Sequence, residues 1–351
     1  MKSKLALIFL FLALLSQAQI GGGTAYRFLD VPMNARVAGN GGNSMALWGN
    51  DINLVYSNPA LLNPSMHQQV AFNSCNYVSD ISLYSLAYAH GFKEKGTAAF
   101  SLNAFNYGRF VGFDELGNKT GTFRASDYVM NLSFAKPLAD SMFNVGLNVK
   151  TLLSQYDSYK SFGNALDFGI NYHNTRNFSA SLVVKNVGLI WKPYTKNSGN
   201  EALPHTVQLG FSYKPSKAPF RFFMVYDQLL KWNVTYLSPI DTTGKNSVLS
   251  TSDTPKDSTG FQKFSARFGS QAGNFMRHFV VGTELVMSKN FNLRLAYNIR
   301  RQSEMHLPDR RGVNGLSIGF GLKVKHFSFS YAFTKIAFPS NSNMIGLTYS
   351  W

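Results

Sequence analysis

From residue 66 to the end of the chain, apolar and polar side chains alternate with a period of two, as they do in strands with one apolar face. Phe143, Val145, Leu147 and Val149 oppose Asn144, Gly146, Asn148 and Lys150. Phe291, Leu293, Leu295, Tyr297 and Ile299 oppose Asn292, Arg294, Ala296, Asn298 and Arg300, and Leu316–Val324 and Phe327–Phe333 repeat the pattern. About fourteen such segments are predicted, at 66–79, 81–93, 96–111, 121–137, 142–156, 160–173, 176–188, 202–214, 219–232, 276–287, 290–301, 313–324, 326–337 and 342–351. Each is near the roughly ten residues that a tilted membrane-spanning strand needs, and the number is even, as a single-chain bacterial barrel requires.

The basic residues Lys150, Lys185, Arg294, Arg300, Lys323 and Lys325 all fall on the non-aromatic face. A lipid-facing Lys or Arg costs roughly 2–4 kcal/mol at the bilayer midplane, whereas a lumen tolerates it. The expected fold is therefore all-β, a transmembrane antiparallel up-and-down barrel over 66–351. In the last segment Ile345, Leu347, Tyr349 and Trp351 alternate with Gly346, Thr348 and Ser350. Such an aromatic-ended strand suits pairing with the first strand and serving as an assembly signal.

Residues 34–65 lack the alternation. Short helical stretches are predicted at 35–38, 44–48 and 52–56, closed by Asn58-Pro59-Ala60 and Asn63-Pro64 turns. Gly39, Gly41 and Gly42 lack the strand and the Lys-Ser/Thr of a phosphate loop. Residues 1–18 read as a secretory signal peptide, with Lys2 and Lys4, an apolar run from Leu5 to Leu15, and a Ser16-Gln17-Ala18 cleavage site. This leaves a flexible lead and an ordered segment over 19–65, and an address in the bacterial outer membrane.

Composition narrows the function. Charged residues are 15% and aromatic residues 15% of the 351, and the net charge is +16, or +14 (16 − 2) without Lys2 and Lys4. In an exported chain this balance points to lipopolysaccharide phosphates or an acidic protein, not nucleic acid. Long connections are expected at 188–201 and 233–275; the second is rich in Ser, Thr, Asp and Lys, and its Phe261, Phe264 and Phe268 carry helical spacing. Their aromatics (Tyr194, Tyr236, Phe261, Phe264) suit a partner contact. The seven histidines are scattered, and no H-E-x-x-H or G-x-S-x-G occurs. No catalytic residue, metal or cofactor is assigned, though a His–Ser constellation drawn from separate strands stays open. The lone cysteine, Cys75, reads as a small buried strand residue.

The run 35–65 resembles the N-terminal hatch of FadL-like barrels at Ala38, Gly39, Gly42, Asp51, Asn58, Pro59, Ala60 and Leu61. In that superfamily such a segment plugs a fourteen-stranded barrel. The stretches NPALLNPSMH, SYKSFGNALDFGINYHN, FMRHFVVGTEL and FNLRLAYNIRR are similar to the PorQ family of the Bacteroidetes type IX secretion system. That resemblance implies a non-enzymatic outer-membrane component that works with PorU-, PorV- and PorZ-like proteins in exporting cargo and attaching it to the cell surface. The alternative is a FadL-like transporter of fatty acids or other hydrophobic molecules, in which lumen cations such as Lys150, Arg294, Arg300 and Lys323 would meet a carboxylate. Pairing of Arg294 and Arg300 with plug or lumen carboxylates, for example Asp51 or Asp167, is the plainer expectation.

Overall fold

The computed structural model describes residues 24–92, 95–138, 142–174, 177–195, 201–234, 271–305, 313–337 and 340–351. The signal-peptide reading, and Tyr236, Phe261, Phe264 and Phe268, lie outside these residues; of the stretch with helical spacing, 271–276 is described and is helical.

Fourteen antiparallel strands close into one barrel in which every strand pairs with its neighbours in sequence and β1 pairs with β14. They are β1 (Gln69–Asn76), β2 (Ser82–Gly91), β3 (Thr97–Phe113), β4 (Lys119–Pro137), β5 (Phe143–Tyr156), β6 (Tyr159–His173), β7 (Phe178–Lys192), β8 (Thr206–Tyr213), β9 (Phe220–Tyr226), β10 (Phe279–Val286), β11 (Phe291–Asn298), β12 (Leu316–Val324), β13 (Phe327–Lys335) and β14 (Asn341–Ser350). All fourteen predicted segments are strands. Closure removes the unpaired edge that a bilayer could not satisfy.

Alternation sets what each face meets. Phe72, Leu86, Phe100, Leu132, Leu147 and Phe168 point outward, Leu132 with 60% of its surface exposed, while Ala71, Asn73, Ala87, Ser101, Asn131 and Asp167 are buried inside. At the end where β1 starts and β14 stops, outward rings touch along the rim. Phe143 lies 4.9 Å from Tyr172, Phe327 5.0 Å from Tyr349, and Trp351 meets Tyr349 edge-on at 4.8 Å. This is the aromatic girdle expected at a membrane interface. The connections at this end are short and the longer ones lie opposite, so the short-turn end is the periplasmic one by the rule for such barrels.

Three features depart from the sequence expectation. β7 runs on to Lys192, so 188–192 is strand where a loop was expected. β11 stops at Asn298, whose side-chain oxygen accepts from Arg301 N at 3.0 Å and starts helix Ile299–Glu304; Arg300 therefore sits on a helix at the long-loop end, off the strand alternation. Lys325 is in the β12–β13 turn with φ 52, not on a strand.

Candidate functional site

Residues 24–66 pack against the inward-facing wall of the barrel as a small fold of their own. Helix α1 (Ala35–Gly39) is capped by Asn34, whose side chain accepts from Val37 N. It ends at Gly41 and Gly42, at φ 76 and 92, with their N–H groups on Ala38 O and Val37 O. Only glycine adopts two such left-handed residues in succession at low cost. Asp51 caps a 3-10 helix, Ile52–Tyr56, and Asn58 and Asn63 cap the turns Pro59–Leu61 and Pro64–Met66. Proline at the first position loses no bond, since that N–H has no partner in the turn, and the asparagine satisfies the next. The stretch 44–48 is a turn, not the predicted helix.

The barrel wall satisfies the segment's backbone. Asn144 donates to Ala60 O at 2.8 Å and to Leu62 O at 2.7 Å, Ser212 to Ala46 O at 2.7 Å, and Ser85 to Met33 O at 2.9 Å. Asn73 donates to Asn53 Oδ1 and accepts from Ala35 N. Leu47, Ile52, Leu54, Leu61, Leu62 and Met66 are fully buried and pack with the wall alanines 71, 87, 89, 99 and 135. A Cβ on Gly146 would collide with the Pro59–Ala60 backbone. The wall is small where the segment is large, so this half of the lumen is a packed core.

Charge fixes the segment further. Glu284 on β10 is buried among three guanidinium groups, Arg221 at 3.0 Å, Arg36 at 3.5 Å and Arg294 at 3.7 Å, and accepts from Asn40 at 3.2 Å. Glu284 is opposite Arg221 on β9 and Arg294 on β11 in the strand register. Arg36 and Asn40 come from the segment, and Arg36 also pairs with Asp51 at 3.1 Å. A separate pair lies in the wall itself. Lys150 meets Asp167 at 2.7 Å and Asn186 Oδ1 at 2.7 Å, where a bulge sets Lys185 and Asn186 against Asp167. Lys185 thereby reaches Tyr56 O at 3.3 Å.

The residues singled out in the sequence thus fall at several places. Asp51, Asn58, Pro59, Ala60 and Leu61 are in the lumenal segment. Arg294 is paired with Glu284, Lys150 with Asp167, and Arg300 with Asp227 at 3.1 Å, so Arg294 and Arg300 each meet a carboxylate, though neither meets the Asp51 or Asp167 given as examples. Lys323 is half-buried at the short-turn end and has no ion pair among the described residues. Ile345 and Leu347 face outward opposite Ser74 and Phe72 of β1, and Trp351 follows the strand's end. Tyr194 packs on Tyr26 and bonds Ser154 at 2.5 Å, so it is tied to the wall instead of free in a loop. Cys75 is buried in β1, with Sγ 3.1 Å from Ser342 Oγ.

Sequence reasoning missed Glu284, Arg36 and Arg221. A lone carboxylate inside the apolar FVVGTELV strand was a legible signal, since an unpaired charge there would be costly. It also missed a projecting hairpin. β2 pairs with β3 only as far as Asn106, and β5 with β4 only as far as Ala125. Residues 107–113 and 119–124 therefore pair with each other alone and stand about 20 Å beyond their neighbours at the long-loop end. This arm exposes Phe110, Val111, Phe113 and Leu116, the last at 87%. It also sets Arg109 directly across from Arg124, and neither has an ion pair among the described residues.

A closed fourteen-stranded antiparallel barrel with an apolar outer face and a polar inner one defines this chain as a protein of the outer-membrane β-barrel class. No protein-family model matches the sequence, and no curated protein matches it. Among solved structures it is similar to a Pseudomonas aeruginosa FadL homologue, at 10% identity over 91% of this chain and 98% of that one, with a TM-score of 0.50. The CymD monoaromatic hydrocarbon channel aligns at 14% identity over 93% and 99% of the two chains, with a TM-score of 0.48. At such identity the first likeness is one of fold alone.

Proposed function

We propose that this chain is a non-enzymatic docking component of a type IX secretion assembly in the outer membrane, with the lumenal segment as a lasting plug. The carrying observation is the Arg109–Arg124 pair on the projecting hairpin. Like charges directly across a ladder destabilise it, and an acidic partner surface would remove that cost. Exposed Phe110, Phe113 and Leu116 beside the arginines supply the apolar anchors of such a contact. The resemblance to the PorQ family names the partners as PorU-, PorV- and PorZ-like envelope proteins. A lumen filled by buried leucines and held by a carboxylate among three guanidinium groups favours docking over passage.

The test is recovery of envelope proteins with the full chain from native outer membranes in mild detergent. Arg109→Glu with Arg124→Glu is expected to lose them while the barrel keeps its folded, heat-modifiable gel mobility. Unchanged recovery overturns the docking site.

One observation favours transport instead. A cavity of about 130 Å³ toward the long-loop end places Phe28, Phe105 and Val129 beside Lys150, Lys185 and Arg300. An apolar chain ending in a carboxylate matches that lining. Stoichiometric fatty acid on a barrel purified without protein partners would select this reading.

A further inference from the structure

At the opposite, short-turn mouth lies a second cavity of about 100 Å³ between the lumenal segment and β11 to β14. Arg36 and Arg294 form its buried side, and Lys289 of the β10–β11 turn and Lys323 near the end of β12 also line it. Asp51 is the carboxylate of the lining, and it is taken up by Arg36 at 3.1 Å. With the wall groups Arg221 and Glu284 that touch this set, five cations (Arg36, Arg221, Lys289, Arg294, Lys323) stand against two carboxylates (Asp51, Glu284), a surplus of 5 − 2 = 3 positive charges.

Lys289 is exposed and Lys323 half-buried, so the buried share of the surplus is one charge, Arg36, Arg221 and Arg294 against Asp51 and Glu284 (3 − 2 = 1), and such a charge is costly where water is scarce. Arg294 shows the cost directly. It is 3% exposed, its Nε and Nη1 have no hydrogen-bond partner among the described residues, and its nearest carboxylate oxygen, at 3.7 Å, is beyond hydrogen-bond reach. Lys289 and Lys323 have no ion pair among the described residues either. The wall beside the guanidinium is kept bare, since a Cβ on Gly321 would come within 2.7 Å of Arg294 Nη2. Ser328, Ser330 and Thr348 add hydroxyl groups to the lining.

The geometry points to a binding site for a phosphate-type oxyanion at the periplasmic mouth of the barrel, with Arg294, Lys289 and Lys323 as its cationic ligands. A dianion offsets two of the three surplus charges, and a carboxylate only one. Guanidinium, ammonium and hydroxyl donors together match an oxyanion with several acceptor oxygens. The phosphate group comes either free or as the headgroup of a phospholipid of the inner leaflet. The site is independent of the hairpin and of any protein docked there.

The experiment uses the full chain in a non-ionic, phosphate-free detergent. Bound phospholipid is quantified first, and binding of radiolabelled inorganic phosphate is then measured by equilibrium dialysis. One phospholipid per barrel, displaced by phosphate, identifies the headgroup as the source; one equivalent of phosphate bound by a lipid-free barrel identifies the free anion. In either case Lys289→Gln with Lys323→Gln is expected to weaken binding about tenfold or more, and Lys323→Arg to retain it. A folded wild-type barrel that holds neither lipid nor phosphate, or a double variant that binds as well as the wild type, overturns the site.

Discussion

The lumen contains two buried charge clusters of similar composition and different reach. Glu284 draws three guanidinium groups from three parts of the chain, β9, β11 and the N-terminal segment. Asp167 draws Lys150 and Asn186 from the neighbouring strands β5 and β7 alone. The first joins the segment to the wall, and the second joins the wall to itself around a bulge, touching the segment only through Lys185 on Tyr56 O. Similar chemistry thus has different consequences. Loss of the first carboxylate should free a segment, and loss of the second should soften a wall whose contents stay in place.

The sharpest way to break this contrast is Glu284→Gln. It leaves Arg221 and Arg294 without a carboxylate and Arg36 with Asp51 alone, and should cost about 3–5 kcal/mol. Denaturant unfolding in detergent should show the loss, and trypsin should reach Arg36; a segment that stays protected would sink the idea that Glu284 holds it. Asp167→Asn should cost less, about 2 kcal/mol, because Lys150 keeps Asn186. The same digestion should leave the segment intact, and cleavage at Arg36 here would erase the distinction between the clusters. Gly146→Val drives a side chain into Pro59–Ala60 and should cost about 1–3 kcal/mol by overpacking, read as a lowered unfolding temperature. Asn58→Ala removes the cap on Ala60 N and the bond to Met45 O, for about 1–2 kcal/mol. Arg124→Glu lies outside both clusters and should stabilise the hairpin by under about 1 kcal/mol by turning a like-charge pair into an opposite one. A destabilised barrel in that variant would show that Arg124 has a structural partner.

Much of the wall was legible because a strand's period is set by the backbone and each face meets a single environment. Phe291, Leu293 and Leu295 could not share a face with Arg294 once one face met lipid. Element ends were less legible. Asn298 reads as another polar strand residue until its side chain is seen capping the next helix, so Arg300 was placed on the wrong element. Ion partners were legible in kind but not in identity. Cations on the inner face require carboxylates, yet the partner of Arg294 depends on the register of β10 against β11, which alternation does not specify. The hairpin at 107–124 escaped notice because its first strand was counted into the 96–111 segment, and what distinguishes it is that β2 and β5 end earlier. In the segment, the Asn58-Pro59 and Asn63-Pro64 turns could be read locally, whereas 44–48 took its form from the wall around it, including Ser212 on Ala46 O.

The placement of the segment also sets an order of events. Thr24 bridges Ala202, and Ala25 N donates to Ala202 O at 3.0 Å, beyond the end of β7, while Gln69 begins β1 at the opposite rim. The chain between them crosses the barrel lengthwise and touches both sides of the seam, with Asn53 on Asn73 of β1 and on Thr348 of β14. A chain bearing Leu47, Ile52 and Leu54 could not be drawn through a cylinder already shut and walled to fit it. Laying the segment down before the seam closes would let it act as the former on which β1 and β14 find their register.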